Sequence, residues 1–173
     1  MSSRSGVVIG LKRFFAIKQY ERRLMLQMMP LRGQCLEIGV EYGMHAEHMI
    51  RVTHPKAMTL VDPWPNGGAE QVKTLLTGLP TELDIRVTTS DEFFGSDDIP
   101  VFDYAYIDGD HSEEQAYRDV MNTAKHVRQG GFILGDDYDW PDVRNAVQRA
   151  MKDLNGRVRK RWIWRTQFLL EVV

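Results

Sequence analysis

Val101-Phe-Asp-Tyr-Ala-Tyr-Ile-Asp108-Gly-Asp110-His111-Ser112, answered by Gly131-Phe-Ile-Leu-Gly-Asp136-Asp137-Tyr138, is the pair of segments whose reading decides the fold. Each is an apolar, β-branched and aromatic run of strand length that ends abruptly in carboxylates. Between them, Ser112 to Arg128 predicts a helix. Ser112 and Gln115 have capping-box spacing, Ala116, Val120, Thr123 and Val127 share one face, and Gly130-Gly131 stops it. Strand, helix, strand in that compass is a βαβ unit with parallel strands. Open α/β sheets bind ligands outside the carboxyl ends of their strands. Asp108, Asp110, His111, Asp136 and Asp137 are therefore expected at one crevice. Like charges packed together are costly unless a cation or proton is shared among them. Acids that merely cap helices or solvate loops are the alternative. Five ionisable residues closing two buried-type strands favour a ligand.

Working outward, Gln34-Cys-Leu-Glu37-Ile-Gly39 predicts a first strand running into a turn through Gly43, then a helix from about Met44 to Arg51. The glycines let the chain turn tightly and let a ligand approach the backbone, and the helix start offers free N–H groups. Ala57 to Val61 is a second strand. Asp62 at its tip is placed to hydrogen-bond the hydroxyls of a ribose, or else serves as a turn acid before Pro63. Trp64 lies against an adenine or, the cheaper reading, covers the core. A helix over 69–79 leads to a third strand, Asp84 to Thr88, with Thr89, Ser90 and Asp91 beyond it. These meet the base of a nucleotide, or Ser90 or Asp91 caps a helix.

After Asp137, Pro141 opens a helix to about Leu154, with Val143, Val147, Ala150 and Leu154 on one side. The tail from Arg157 reads as two strands around Trp164 to Thr166. Its basic residues and Trp162 and Trp164 suit an exposed edge strand better than a nucleic-acid surface. Ahead of the first strand, Met1 to Gly6 is polar and expected to fray. Val7 to Met29 mixes apolar and basic residues, as one or two helices would, and Pro30 ends it.

The 173 residues suffice for one domain, expected as a basic helical leader over 1–32 and a Rossmann-like core over 33–173. Hydrophobic content of 43% and charged content of 27% are those of an ordinary globular protein. The single Cys35 excludes a disulfide framework and points to a reducing compartment. No stretch has transmembrane length, and Val7 to Leu11 is too short for a signal-peptide core, so a cytoplasmic protein is expected. Net charge is −2, yet residues 1–32 carry seven basic residues against Glu21 alone, a local +6 against −8 elsewhere. Such a leader touches an anionic partner or is simply a solvated helix face, the latter being commoner.

Cys35-Leu-Glu-Ile-Gly39, Val61-Asp62, Phe102 to His111 and Gly130 to Asp137 resemble class I S-adenosylmethionine-dependent methyltransferases. The likeness is to the small methyltransferase 24 group and its metal-dependent O-methyltransferase relatives, and it spans about residues 33–150. It implies a mostly parallel seven-stranded sheet ending in an antiparallel hairpin, with helices on both faces. It further implies that Glu37, Gly39 and Gly43 hold the methionine part of the cofactor, Asp62 the ribose, and Ser90 with Asp91 the adenine region. Asp108, Asp136 and Asp137 match acids that bind Mg²⁺ in metal-dependent relatives, with Asp108 counted on the cofactor side as well. His111 stands where catechol O-methyltransferases carry a lysine base; Asp110 stands where some sugar-methylating relatives place theirs. Two departures are plain: Glu41 replaces the middle glycine of the commoner turn, and the short leader leaves the substrate lid reduced or supplied by a second subunit of a homodimer.

Methyl transfer needs alignment of nucleophile, methyl carbon and leaving sulfur, and a deprotonated oxygen. A hard cation lowers the pKa of a hydroxyl and orients a neighbouring oxygen. Three carboxylates suit Mg²⁺, and a thiolate-poor, single-histidine site speaks against zinc. His111, with an ordinary pKa of about 6.5, can take the proton near neutral pH. The leading expectation is Mg²⁺-assisted O-methylation of a small molecule with adjacent oxygens, a sugar or catechol-like ring. A nicotinamide-dependent oxidoreductase competes, against the missing Gly-x-Gly-x-x-Gly turn. A non-catalytic cofactor-binding or nucleic-acid-binding protein using the basic ends is the third reading.

Overall fold

Strand ladders, not helix propensity, organise the molecule. The computed structural model describes residues 19–173; the polar start and the beginning of the leader run lie outside them. In chain order come α1 (helical over 19–26), β1 (Gln34–Ile38), α2 (Met44–Thr53), β2 (Ala57–Asp62), α3 (Ala69–Leu76), β3 (Glu82–Val87) and α4 (Ser90–Phe94). Then follow β4 (Phe102–Ile107), α5 (Glu113–His126), β5 (Val127–Gly135), α6 (Pro141–Asp153), β6 (Val158–Trp164) and β7 (Gln167–Val172). One sheet runs in the order β3-β2-β1-β4-β5-β7-β6. The first five strands are parallel, and β7 pairs antiparallel with both β5 and β6. This is the Rossmann-like architecture with the expected C-terminal hairpin.

Alternation along each strand builds two cores. Leu36, Ile38, Ala105 and Ile107 face α4, α5 and α6, where Phe93, Val120, Val143 and Val147 meet them. Cys35, Met58, Tyr104 and Tyr106 face the other way, onto α1, α2 and α3 through Leu26, Met49, Ile50 and Val72. Strands buried on both faces read as near-continuous apolar runs, which is why β4 and β5 were conspicuous. Burial pushes the Cys35 thiol up to about 12, so it behaves as a small apolar filler.

Three local details differ from the sequence reading. The Ser112 side chain makes no capping bond, and Gln115 turns away to other partners. The reciprocal capping box lies instead at Thr89 and Glu92, at the start of α4. Helix α5 also ends at His126 rather than at the glycine pair. Val127, β-branched and buried, already joins β5 opposite Phe102, and Gly130 with φ of 73° accommodates the shift of register that follows. The basic tail is indeed an edge: β6 is the outermost strand, and Arg159 and Arg161 lie against Glu171 of β7. Among the described residues no helix is long and apolar enough to cross a membrane.

Candidate functional site

Strand order reverses between β1 and β4, and a cleft of about 870 Å³ opens over their carboxyl ends. Crevices of this kind form where the crossover helices on either side diverge. The two strand tips approach closely because Gly39 has no side chain. A Cβ there would lie 2.0 Å from the Asp108 carbonyl oxygen, and its φ of 81° is itself unfavourable for other residues.

On the β1–β2 side, Glu37, Gly39 and Asp62 line the cleft, whereas Gly43, with φ of 76°, starts α2 against Val72. Asp62 accepts hydrogen bonds from the backbone N–H of Val40 and Glu41 through Oδ2, at 2.9 and 3.0 Å, and from Trp64 N through Oδ1. It therefore braces the glycine turn while lining the cleft. Glu37 is 1% exposed; its Oε1 lies 2.9 Å from His45 Nδ1, and its Oε2 is buried without a partner among the described residues. Burial, reinforced by the charge of Asp108, pushes the Glu37 carboxyl well above the ordinary range. A buried acceptor at the cleft floor, beside a turn open to close approach, is chemically suited to the ammonium end of S-adenosylmethionine. Trp64 is 6% exposed, with its indole N–H on the Glu41 carbonyl, so it covers the core.

Of Ser90 and Asp91, only one reaches the cleft. Ser90 lines the cleft, whereas Asp91 points to Arg118, whose hydrogen bond holds its carboxyl below the usual range. Asp119 of α5 is buried at the cleft wall. Gln115 links Ser90 and Asp119, donating to both at 3.0 Å. Burial raises the Asp119 carboxyl.

The β4–β5 side holds the acids, in two groups. Asp137 adopts a left-handed conformation, φ 54°, and the two neighbouring carboxylates diverge. Asp137 Oδ2 lies 2.7 Å from His111 Nε2, and Asp108 Oδ1 lies 3.7 Å from the same nitrogen. Asp108, His111 and Asp137 each present an atom within 4.8 Å of the others. Asp136, by contrast, accepts from Arg22, from Gln167 and from Asp137 N. The same Arg22 Nη2 donates to Asp108 Oδ2 at 2.7 Å. Asp108 and Asp137 hold the His111 pKa up, at about 10, against the effect of burial. That shift favours the protonated ring, whereas an ordinary pKa would favour the free base near neutral pH. Asp110 accepts from Ser112 N at 2.7 Å and is held below the usual carboxylate range by Ser112, as a turn acid would be.

The donors Asp108, His111 and Asp137 fit a divalent ion: two carboxylates and one imidazole converge from one side. The expected all-aspartate set does not converge in the same way, because the bonds to Arg22 and Gln167 turn Asp136 aside. Arg22, His45, Gln115 and Asp119 were not singled out as site residues from sequence. Arg22 did carry a signal: with Met25, Leu26 and Met29 it falls on one helical stripe, and those three are buried.

Residues 36–138 match the methyltransferase 24 family, described as a methyltransferase domain. An uncharacterized protein of Acanthamoeba polyphaga mimivirus is 29% identical over 133 residues, 70% of this chain; the chain spans 60% of that protein's length. An O-methyltransferase from Bacillus cereus, solved with SAH, superposes with a TM-score of 0.68 at 18% identity, covering 88% of this chain and 78% of the other. The O-methyltransferase TomG from Streptomyces achromogenes, solved with SAM, gives 0.65 at 18% identity, covering 88% and 77%. The N-methyltransferase NodS from Bradyrhizobium japonicum gives 0.58 at 15% identity, covering 89% and 94%. These structures share the fold; their acceptor atoms differ.

Proposed function

The chain belongs to the methyltransferase 24 family, and from that premise we propose that it methylates a hydroxyl oxygen of a small molecule, using S-adenosylmethionine and a divalent ion such as Mg²⁺. A sugar or catechol-like ring with adjacent oxygens is the acceptor class. The observation that carries this reading is the Asp108–His111–Asp137 group, of which Asp108 and His111 line the same cleft as Glu37 and Gly39. An acidic, histidine-bearing cluster next to a cofactor turn suits activation of an oxygen nucleophile.

When bound, S-adenosylmethionine supplies an electrophilic methyl group, and a divalent ion supplies Lewis acidity to the hydroxyl. Glu37, Gly39 and Gly43 would receive the methionine end, Asp62 the ribose, and Ser90 with Asp119 the adenine end. Asp108 and Asp137 would hold the ion, leaving His111 beside them to act as the base. His111 lies against the Trp140 ring, centroids 4.9 Å apart, which shields one face of the imidazole. It must first lose the proton shared with Asp108 and Asp137 before it can accept one, and withdrawal of charge from those carboxylates lowers its pKa toward neutrality.

Labelled methyl transfer from S-adenosylmethionine to a panel of vicinal diols, catechols and amines, with and without EDTA, tests the proposal. Transfer to hydroxyls that EDTA abolishes is the expected result. Transfer to amines alone overturns the oxygen acceptor, and transfer to hydroxyls untouched by EDTA overturns the ion.

A further inference from the structure

Three carboxylates, Asp108, Asp136 and Asp137, close β4 and β5, and the chain already supplies two cationic groups to them. His111 bridges Asp108 and Asp137, and Arg22 bridges Asp108 and Asp136. Arg22 arrives from α1 and lines the cleft beside Asp108. Its side chain is 12% exposed, with the guanidinium 5.8 Å from the centre of the Tyr106 ring. Its neighbour Glu21 is 1% exposed and accepts from Thr166 in the β6–β7 turn, which fixes the helix against the hairpin.

We propose that Arg22 is a built-in counter-cation that competes with a divalent ion for the Asp108 carboxylate, so that the position of α1 sets how tightly this site takes the ion. A guanidinium at 2.7 Å from Asp108 Oδ2 repels a dication bound to Asp108 Oδ1, and the two oxygens share one delocalised charge. Arg22 is not locked in place by a full set of partners. Its Nε is buried without a hydrogen-bond partner among the described residues. A buried donor left unmade costs free energy, so among the described residues the arginine is held chiefly by its two aspartates and the face of Tyr106. Arg22 thereby acts on the ion through Asp108 rather than on the acceptor directly. The inference rests on the ion-assisted reading above.

The test uses Mn²⁺ as the probe, followed by electron paramagnetic resonance in wild type, Arg22→Met and Arg22→Gln, each checked for fold by thermal stabilisation with S-adenosylhomocysteine. Both variants are expected to bind Mn²⁺ at least tenfold more tightly than wild type. In wild type, saturating Mn²⁺ is expected to increase amide hydrogen exchange over residues 19–26, because the ion loosens the Arg22 anchor. Equal or weaker Mn²⁺ binding by the folded variants overturns the competition while leaving the ion reading intact. No Mn²⁺ binding by any of the three proteins overturns both, and retained stabilisation by S-adenosylhomocysteine then leaves only the methyltransferase reading standing. Should both variants fail to fold, exchange in wild type decides: unchanged or greater protection of 19–26 on Mn²⁺ binding, or no Mn²⁺ binding, sinks the proposal.

Discussion

Arg22 Nη2 and Asp108 Oδ2 lie 86 residues apart in sequence and 2.7 Å apart in space. Burial by itself disfavours the guanidinium charge, but Tyr106, Asp136 and Asp108 outweigh it and raise the arginine's pKa above its ordinary value. The acid that closes β4 is thus held from two sides, by Arg22 and by His111.

His111 should titrate far from a free histidine. With its pKa at about 10, set by Asp108 and Asp137, the ring is charged at pH 7. A raised folded pKa stabilises the protein fully below the unfolded value of about 6.5, and that contribution disappears as pH rises through about 10. Nitrogen chemical shifts of the His111 ring check the first point, and Asp137→Asn should bring the midpoint down. Denaturation of wild type and His111→Gln should show a gap that closes between pH 7 and 10. A midpoint near 6.5 in the unliganded protein would contradict the geometry.

Between the two candidate bases, the larger kinetic effect is expected at His111. His111→Ala should lower turnover by roughly 10²–10⁴-fold. Asp110→Asn should cost much less, since Asp110 is engaged with Ser112 in a turn and is held ionised. The rate should also rise with pH, with an inflection that ion binding moves downward. Steady-state kinetics on both variants decides the matter, and the reverse order of losses would move the base to Asp110.

Asp62→Ala should weaken S-adenosylhomocysteine binding, measured by calorimetry. Loss of one charged hydrogen-bond partner costs on the order of 1.5–3 kcal/mol. The same substitution removes the acceptor for Val40 N and Glu41 N, so the turn should loosen even without ligand. Faster exchange of those two amides is the independent readout. Unchanged affinity in a folded variant would remove Asp62 from the cofactor site.

Glu37→Gln should separate stability from binding. The Glu37 carboxyl is raised first by burial and then by Asp108, so its ionisation opposes folding. The sign is that of a buried acid: wild-type stability falls as pH climbs from the unfolded value near 4.3 toward the folded one. The glutamine variant escapes that loss and should be the more stable unliganded protein at pH 7, by thermal melting. Its affinity for S-adenosylmethionine should nevertheless drop about tenfold or more, because the glutamine cannot ionise to meet the ligand's ammonium. Equal affinity would leave Glu37 a structural residue only.

The sequence by itself determined the succession of strands and helices, the parallel pairing of β4 with β5, the two strands of the tail, and the acids at the strand tips. Those features are local. Period-two alternation, apolar runs bounded by glycine, and right-handed crossovers are written into short windows and one topological rule. Glu37, Gly39 and Asp62 were legible for the same reason, since each sits at a fixed offset from a strand end. The partners of these residues were not legible. Two adjacent aspartates look equivalent in sequence, yet the left-handed backbone at Asp137 sends one toward His111 and leaves the other with Arg22 and Gln167. Gln115 has the spacing of a capping residue, but Ser90 and Asp119 lie within its reach and the helix start does not hold it. Arg22 was one of seven basic residues in the leader, and only the packing of Met25 and Leu26 onto the sheet carried it to Asp108. Side-chain pairing across that much chain depends on how helices seat against the sheet, and that is fixed by the assembled core rather than by any stretch of sequence.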